Sequence, residues 1–144
     1  MKFSSKRAGT MKVLVIDDDH LVRYTLSKIL QRSGYDVITA SDGRRGMLLL
    51  REEYPDVVIT DIIMPEQEGI DTIIQIRRER PGIKIIAISG GGRIRNIDFL
   101  TMAHSLGADD VIRKPFEADE LLARLAALGF PPGRVPEAAL QPAG

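Results

Sequence analysis

The sequence predicts an α/β fold, a doubly wound sandwich with a five-stranded parallel sheet between two layers of helices. Three observations predict it. Short apolar runs rich in β-branched residues recur along the chain, at Val13-Leu14-Val15-Ile16, Val57-Val58-Ile59, Ile85-Ile86-Ala87-Ile88 and Val111-Ile112. They are continuous rather than alternating, as in parallel strands buried on both faces. Helix-length segments separate them, with apolar residues at helical spacing. The alternation occurs five times, which right-handed crossovers wind into helices on both faces of one sheet. Of the common doubly wound orders, the flavodoxin-like (βα)5 order 2-1-3-4-5 is the one expected.

Each element has its own signal. The first strand is Lys12 to Ile16. A helix follows from Leu21 to Ser33, with Val22, Leu26, Ile29 and Leu30 on one stripe and Gly34 as its stop. The second strand is Tyr35 to Thr39, and the second helix, Gly43 to Glu53, closes before Pro55. The third strand is Asp56 to Thr60; after a loop with Pro65 and Gly69, Ile70, Ile73 and Ile74 mark a helix ending near Arg80, before Pro81-Gly82. The fourth strand is Lys84 to Ile88, followed by Gly90-Gly91-Gly92 and a helix from an Asn96 cap to His104. The fifth strand is Asp110 to Arg113, and the last helix, Ala118 to Leu128, carries Leu121, Leu122 and Leu125 on one face.

The chain has 144 residues, the size of one domain with a full core. Residues 1–10 form a polar tail and 11–128 the domain. Residues 129–144, with prolines at 131, 132, 136 and 142 among Ala and Gly, bury too little apolar surface to offset their ordering entropy and are expected to be disordered. Twenty basic and twenty acidic residues cancel, which gives no general attraction to nucleic acid or anionic membrane. The absence of Cys rules out disulfides and thiolate metal sites. The basic N-terminus lacks the apolar stretch of a secretory signal, and no run reaches the ~18 residues of a membrane span. A cytoplasmic protein without membrane insertion is expected.

The strand ends carry the chemistry. The first runs into Asp17-Asp18-Asp19, the third into Asp61, the fourth into Ser89 and the fifth into Lys114-Pro115. Ligands of an open parallel sheet sit beyond the carboxyl ends of its strands, where strand order reverses. With strands one and three adjacent, Asp17, Asp18 and Asp61 share that crevice. One pair of carboxylates ~4 Å apart repels by about 4 kcal/mol at an effective dielectric near ~20. Such a site calls for a hard cation, best Mg²⁺ with retained waters. An aspartate, ordinarily ionised above pH ~3.9, can attack phosphorus without a general base, and the acyl phosphate formed on Asp61 would need Ser89, Lys114 and the metal as partners.

These motifs identify a resemblance. Val15-Ile16-Asp17-Asp18-Asp19, Asp56-Val57-Val58-Ile59-Thr60-Asp61-Ile62-Ile63-Met64-Pro65, Ile88-Ser89-Gly90 and Gly107-Ala108-Asp109-Asp110-Val111-Ile112-Arg113-Lys114-Pro115-Phe116 resemble the CheY-like receiver domains of two-component response regulators over residues 11 to 128. The resemblance implies that Asp61 is the phosphoacceptor and that Asp17 and Asp18 hold Mg²⁺. It further implies that Ser89 and Lys114 contact the phosphoryl group, that the backbone carbonyl of Ile63 ligates the metal and that Lys114–Pro115 is cis. A histidine kinase or histidine phosphotransfer protein would be the phosphoryl donor in a phosphorelay. One departure is Val111, where many receivers carry Tyr or Phe; Arg113, two residues on, shares its strand face.

Blander readings exist for each residue alone. Asp17-Asp18-Asp19 could be a solvated turn, with Asp19 a helix cap; Ser89 an ordinary strand-end hydroxyl; Lys114 a surface lysine. His20 fits the start of the first helix and His104 an exposed helix face better than a phosphorelay role. A Mg²⁺-dependent phosphohydrolase would place a second acid two residues after its nucleophile, where this chain has Ile63. A receiver-like module that is never phosphorylated would not need the full set of acids, hydroxyl and lysine. The expectation is therefore a stand-alone receiver, a monomer or weak dimer. It is no enzyme beyond its own phosphorylation and slow dephosphorylation, and it signals to a downstream protein without direct nucleic-acid binding.

Overall fold

The computed structural model describes residues 10–62, 68–89 and 105–132. In chain order these form β1 (Lys12–Ile16), α1 (His20–Arg32), β2 (Asp36–Ala40), α2 (Gly43–Glu53), β3 (Val57–Asp61), α3 (Glu68–Glu79), β4 (Lys84–Ser89), β5 (Asp110–Arg113) and α4 (Ala118–Ala127). All strand pairs are parallel and their order is β2-β1-β3-β4-β5, as the sequence predicts. The helix expected over 96–104, the loop before it, the first nine residues and residues 133–144 lie outside the described residues.

The continuous apolar strands are explained by a core on each side of the sheet. Leu14, Ile16, Val58, Ile85 and Val111 face one layer with Met47 and Leu50 of α2 and Ile73 and Ile76 of α3. Val13, Val15, Val57, Ile59, Ile86 and Ile112 face the other, with Leu26 and Leu30 of α1 and Leu121 and Leu125 of α4. In β1, β3 and β4 successive residues thus alternate between two buried layers, whereas the edge strands are partly exposed, with Thr39 and Arg113 open to solvent. Among the described residues, no helix is long and apolar enough to cross a membrane.

Boundaries move by a residue where a local hydrogen bond competes with the ladder. Tyr35, expected in the second strand, instead donates its N–H to Leu30 O at 3.0 Å and closes the end of α1 beyond Gly34, whose φ of 92° ends the helix as expected. Asp56, expected in the third strand, places its carboxylate on the Lys12 N–H at 2.8 Å. Asp61 and Ser89, expected just past their strands, are the final residues of β3 and β4, in register with Ile88 and Arg113. Their backbones are therefore held by the sheet.

Past α4, Gly129 turns the chain at φ 100°. Phe130 then packs against the α1/α4 layer, donates its N–H to Leu125 O at 2.8 Å and accepts the Tyr35 hydroxyl on its carbonyl. The packed domain thus includes Phe130, two residues beyond the expected boundary at 128.

Candidate functional site

Asp17 continues β1 by donating its N–H to Ala40 O at 3.1 Å, and it is fully buried. A tight turn follows. Asp17 Oδ1 accepts the Asp19 N–H at 2.9 Å, and the Asp19 carboxylate caps α1 by accepting the Leu21 N–H at 2.9 Å and the Val22 N–H at 3.4 Å. The capping role expected for Asp19 is the one observed, and His20 is the exposed first residue of α1. Asp18, between the two, is exposed. One turn into α1, Arg23 reaches back and donates Nη1 to Asp17 O at 2.7 Å.

Asp61 ends β3 and is 4% exposed. Lys114, directly after β5, places Nζ 3.2 Å from Asp61 Oδ2 and 3.3 Å from Asp17 Oδ2, so one ammonium bridges two carboxylates. Its own N–H donates to Ser89 O at 2.9 Å, which couples the ends of β4 and β5. Ser89 is buried there, and Lys114–Pro115 is cis. His104 and Ile63, whose carbonyl the resemblance assigns to the metal, lie outside the described residues. Val111 is buried in the α2/α3 layer, whereas Arg113 is exposed.

The electrostatics follow from this packing. Burial pushes the Asp17 carboxyl up to about 6; the charge of Asp61 adds to that, while the Asp19 N–H and Lys114 oppose it. Burial pulls the Lys114 ammonium down, but the charges of Asp61 and Asp17 outweigh it and the net direction is up. Carboxylate oxygens of Asp17, Asp18 and Asp61 lie within 4.8 Å of one another. Ligands on opposite sides of one Mg²⁺ stand about 4.2 Å apart, and the donors are all hard oxygens, so the cluster fits that ion. Asp18 is the exposed member of the cluster.

Two contributors escaped the sequence reading. Arg23 acts on a backbone carbonyl, and no motif in a single sequence announces that. Arg77 donates to Gly107 O at 3.0 Å, Pro81 O at 2.7 Å, Ile83 O at 2.6 Å and Asp109 Oδ2 at 2.9 Å. It thereby fixes the approach to β5 and to Lys114. Its one signal is its place in the last turn of α3, where basic side chains find free carbonyls.

Comparison with known proteins agrees with this architecture. The family described as response regulator receiver domain matches residues 13–126. Response regulator MprA of Mycolicibacterium vanbaalenii is 35% identical over 122 residues, 82% of this chain and 50% of that protein. The alkaline phosphatase synthesis transcriptional regulatory protein PhoP of Bacillus subtilis is 36% identical over 118 residues, 81% of this chain and 48% of that one. The chain thus spans about half the length of these relatives. Among solved structures, a CheY-like response regulator receiver domain protein from Methanospirillum hungatei JF-1 superposes with a TM-score of 0.74 at 27% identity, covering 83% of this chain and 93% of its own. Chemotaxis protein CheY4 of Vibrio cholerae gives 0.74 at 28%, covering 82% and 98%. The family match runs from the first apolar strand into the last helix, across every element that builds the carboxylate cluster, and on that ground the chain belongs to the response regulator receiver domains.

Proposed function

We propose that this chain is a phosphorylation-dependent switch in which Asp61 accepts a phosphoryl group from a histidine kinase or histidine phosphotransfer protein. The observation that carries the reading is the bridging of Asp17 and Asp61 by Lys114 at the sheet edge, beside the exposed Asp18. A carboxylate oxygen of Asp61 attacks phosphorus, the P–N bond of a donor phosphohistidine breaks, and an acyl phosphate forms as imidazole leaves. Mg²⁺ held by Asp17, Asp18 and Asp61, with the Ile63 carbonyl implied by the family, would supply charge neutralisation at the phosphoryl oxygens. Lys114 donates to Asp61 Oδ2 and would hold a phosphoryl oxygen next; the Ser89 hydroxyl, at the neighbouring strand end, would be the second donor. The chemistry is performed on the chain itself, not on a substrate that is released.

The finer reading is a receiver in the cytoplasm whose phosphorylated surface is read by a downstream protein. Its balanced charge supports protein docking over direct nucleic-acid binding. A second reading, output through transcription, is favoured by relatives of about twice the length that are named transcriptional regulators. Fluorescence anisotropy with duplex DNA, before and after phosphorylation, separates the two.

The central test is intact-mass measurement after incubation with acetyl phosphate and Mg²⁺. One phosphoryl group should be added, and none in Asp61→Asn or without divalent metal. Label retained in Asp61→Asn, or mapped to Asp17, Asp18 or a histidine, would overturn the assignment.

A further inference from the structure

We propose that Gly69 is a positioning residue for phosphoryl transfer at Asp61, an inference that rests on the function proposed above. Gly69 is the second residue of α3 and is buried. A Cβ built on it would collide with Asp61 O, and would lie 2.5 Å from Ile62 O and 2.8 Å from Ile62 C. All three are backbone atoms, so no side chain can swing away to make room.

The peptide that Gly69 presses on cannot retreat either. Ile62 donates its N–H to Ile88 O at 2.9 Å, Asp61 is in register with Ile88, and the Ile62 side chain is sunk in the α2/α3 layer. The link just after the phosphoacceptor is therefore clamped between β4 on one side and the bare backbone of α3 on the other. A glycine within a helix is less favourable than alanine by about 1 kcal/mol, so helix propensity does not account for this residue. Close approach does. A methyl group needs ordinary contact at roughly 3.5 Å. The Asp61–Ile62 peptide or α3 must then yield by about 1 Å, and a misplacement of that size can cost about a hundredfold in rate.

Gly82 supplies the control, because a Cβ there meets nothing within 4 Å. In the full chain at saturating Mg²⁺, phosphorylation by acetyl phosphate is followed by intact mass, with the donor concentration varied. The comparison is made at a temperature where circular dichroism shows parent, Gly69→Ala and Gly82→Ala all folded. Gly69→Ala should lower the maximal rate ten- to a hundredfold with little change in the half-saturating donor concentration. Gly82→Ala should match the parent. A structural role alone lowers the melting temperature without moving the maximal rate of the folded fraction. If Gly69→Ala does not fold in buffer, the comparison is repeated in trimethylamine N-oxide, which strengthens burial. A folded variant phosphorylated at the parent's rate overturns the proposal, as does a variant that folds under neither condition. A parent that takes no label on Asp61 instead overturns the function on which it rests.

Discussion

Replacing Arg77 by Met should destabilise the domain by about 3 kcal/mol. The substitution keeps the apolar stem and removes the guanidinium. The carbonyls of Gly107 and Ile83, both in partly buried contacts, lose charge-assisted partners worth about 1.5 kcal/mol each. The ion pair to Asp109 at 2.9 Å is about a quarter exposed on both sides, and solvent screening leaves it about 0.5 kcal/mol or less. The Pro81 carbonyl is in an exposed contact, so water replaces the lost donor there. For a domain of this size the melting temperature should fall by about 12 °C. Urea unfolding should show a lower midpoint with an unchanged slope, because the surface exposed on unfolding is the same. Arg77→Lys keeps the charge without the planar fork and should recover less than half the loss. Arg51→Met, which removes an exposed pair to Glu79, is the control and should leave the midpoint in place. A loss below about 1 kcal/mol in Arg77→Met would show that water already satisfies these carbonyls, and would refute the account of how β5 is held.

Three further outcomes follow from the same contacts. Mg²⁺ at ten times its dissociation constant should add about 1.4 kcal/mol of stability by thermal shift, and Asp17→Asn should remove most of it; an equal gain in the variant would place the ion elsewhere. Burial pushes the Tyr35 phenol up to about 12 from an ordinary 10.0, so the stability it contributes is intact below pH 10 and is lost as pH rises through 12. Tyr35→Phe should flatten that alkaline slope while costing about 1 kcal/mol at neutral pH for the bond to Phe130 O; an unchanged slope would show the phenol to be solvated. Asp19→Ala should cost about 1 kcal/mol in urea unfolding through loss of the α1 cap, and a neutral result would show the Leu21 and Val22 amides to be hydrated instead.

What could be read from the sequence depended on whether the cause lay in the residue or in its neighbours. Both core layers follow from the continuous β-branched runs, because only a sheet covered on both faces can hide Val13 and Leu14 together. The meeting of Asp17, Asp18, Asp61 and Lys114 follows from their places at strand ends. Other features have no local cause. That Asp17 is buried and the adjacent Asp18 exposed depends on the Asp19 turn and on Arg23. That Tyr35 belongs to a helix end and not to a strand depends on Leu30 O. Gly69 and Arg77 act on backbone atoms outside their own helix, which hydrophobic pattern does not encode.

The meeting of Tyr35 with Phe130 has a practical consequence. Met11 O accepts the Asp36 N–H at 2.9 Å beside that pair, so the chain enters and leaves the packed domain at the same pole, by the amino ends of the strands. A five-residue strand, about 16 Å, separates that pole from the carboxylate cluster. A fluorophore, an affinity handle or a surface linker joined at residue 10 or 132 is thereby kept off the face that carries the carboxylate cluster. The domain can be anchored at either end, or at both, with its carboxylate edge turned toward solution.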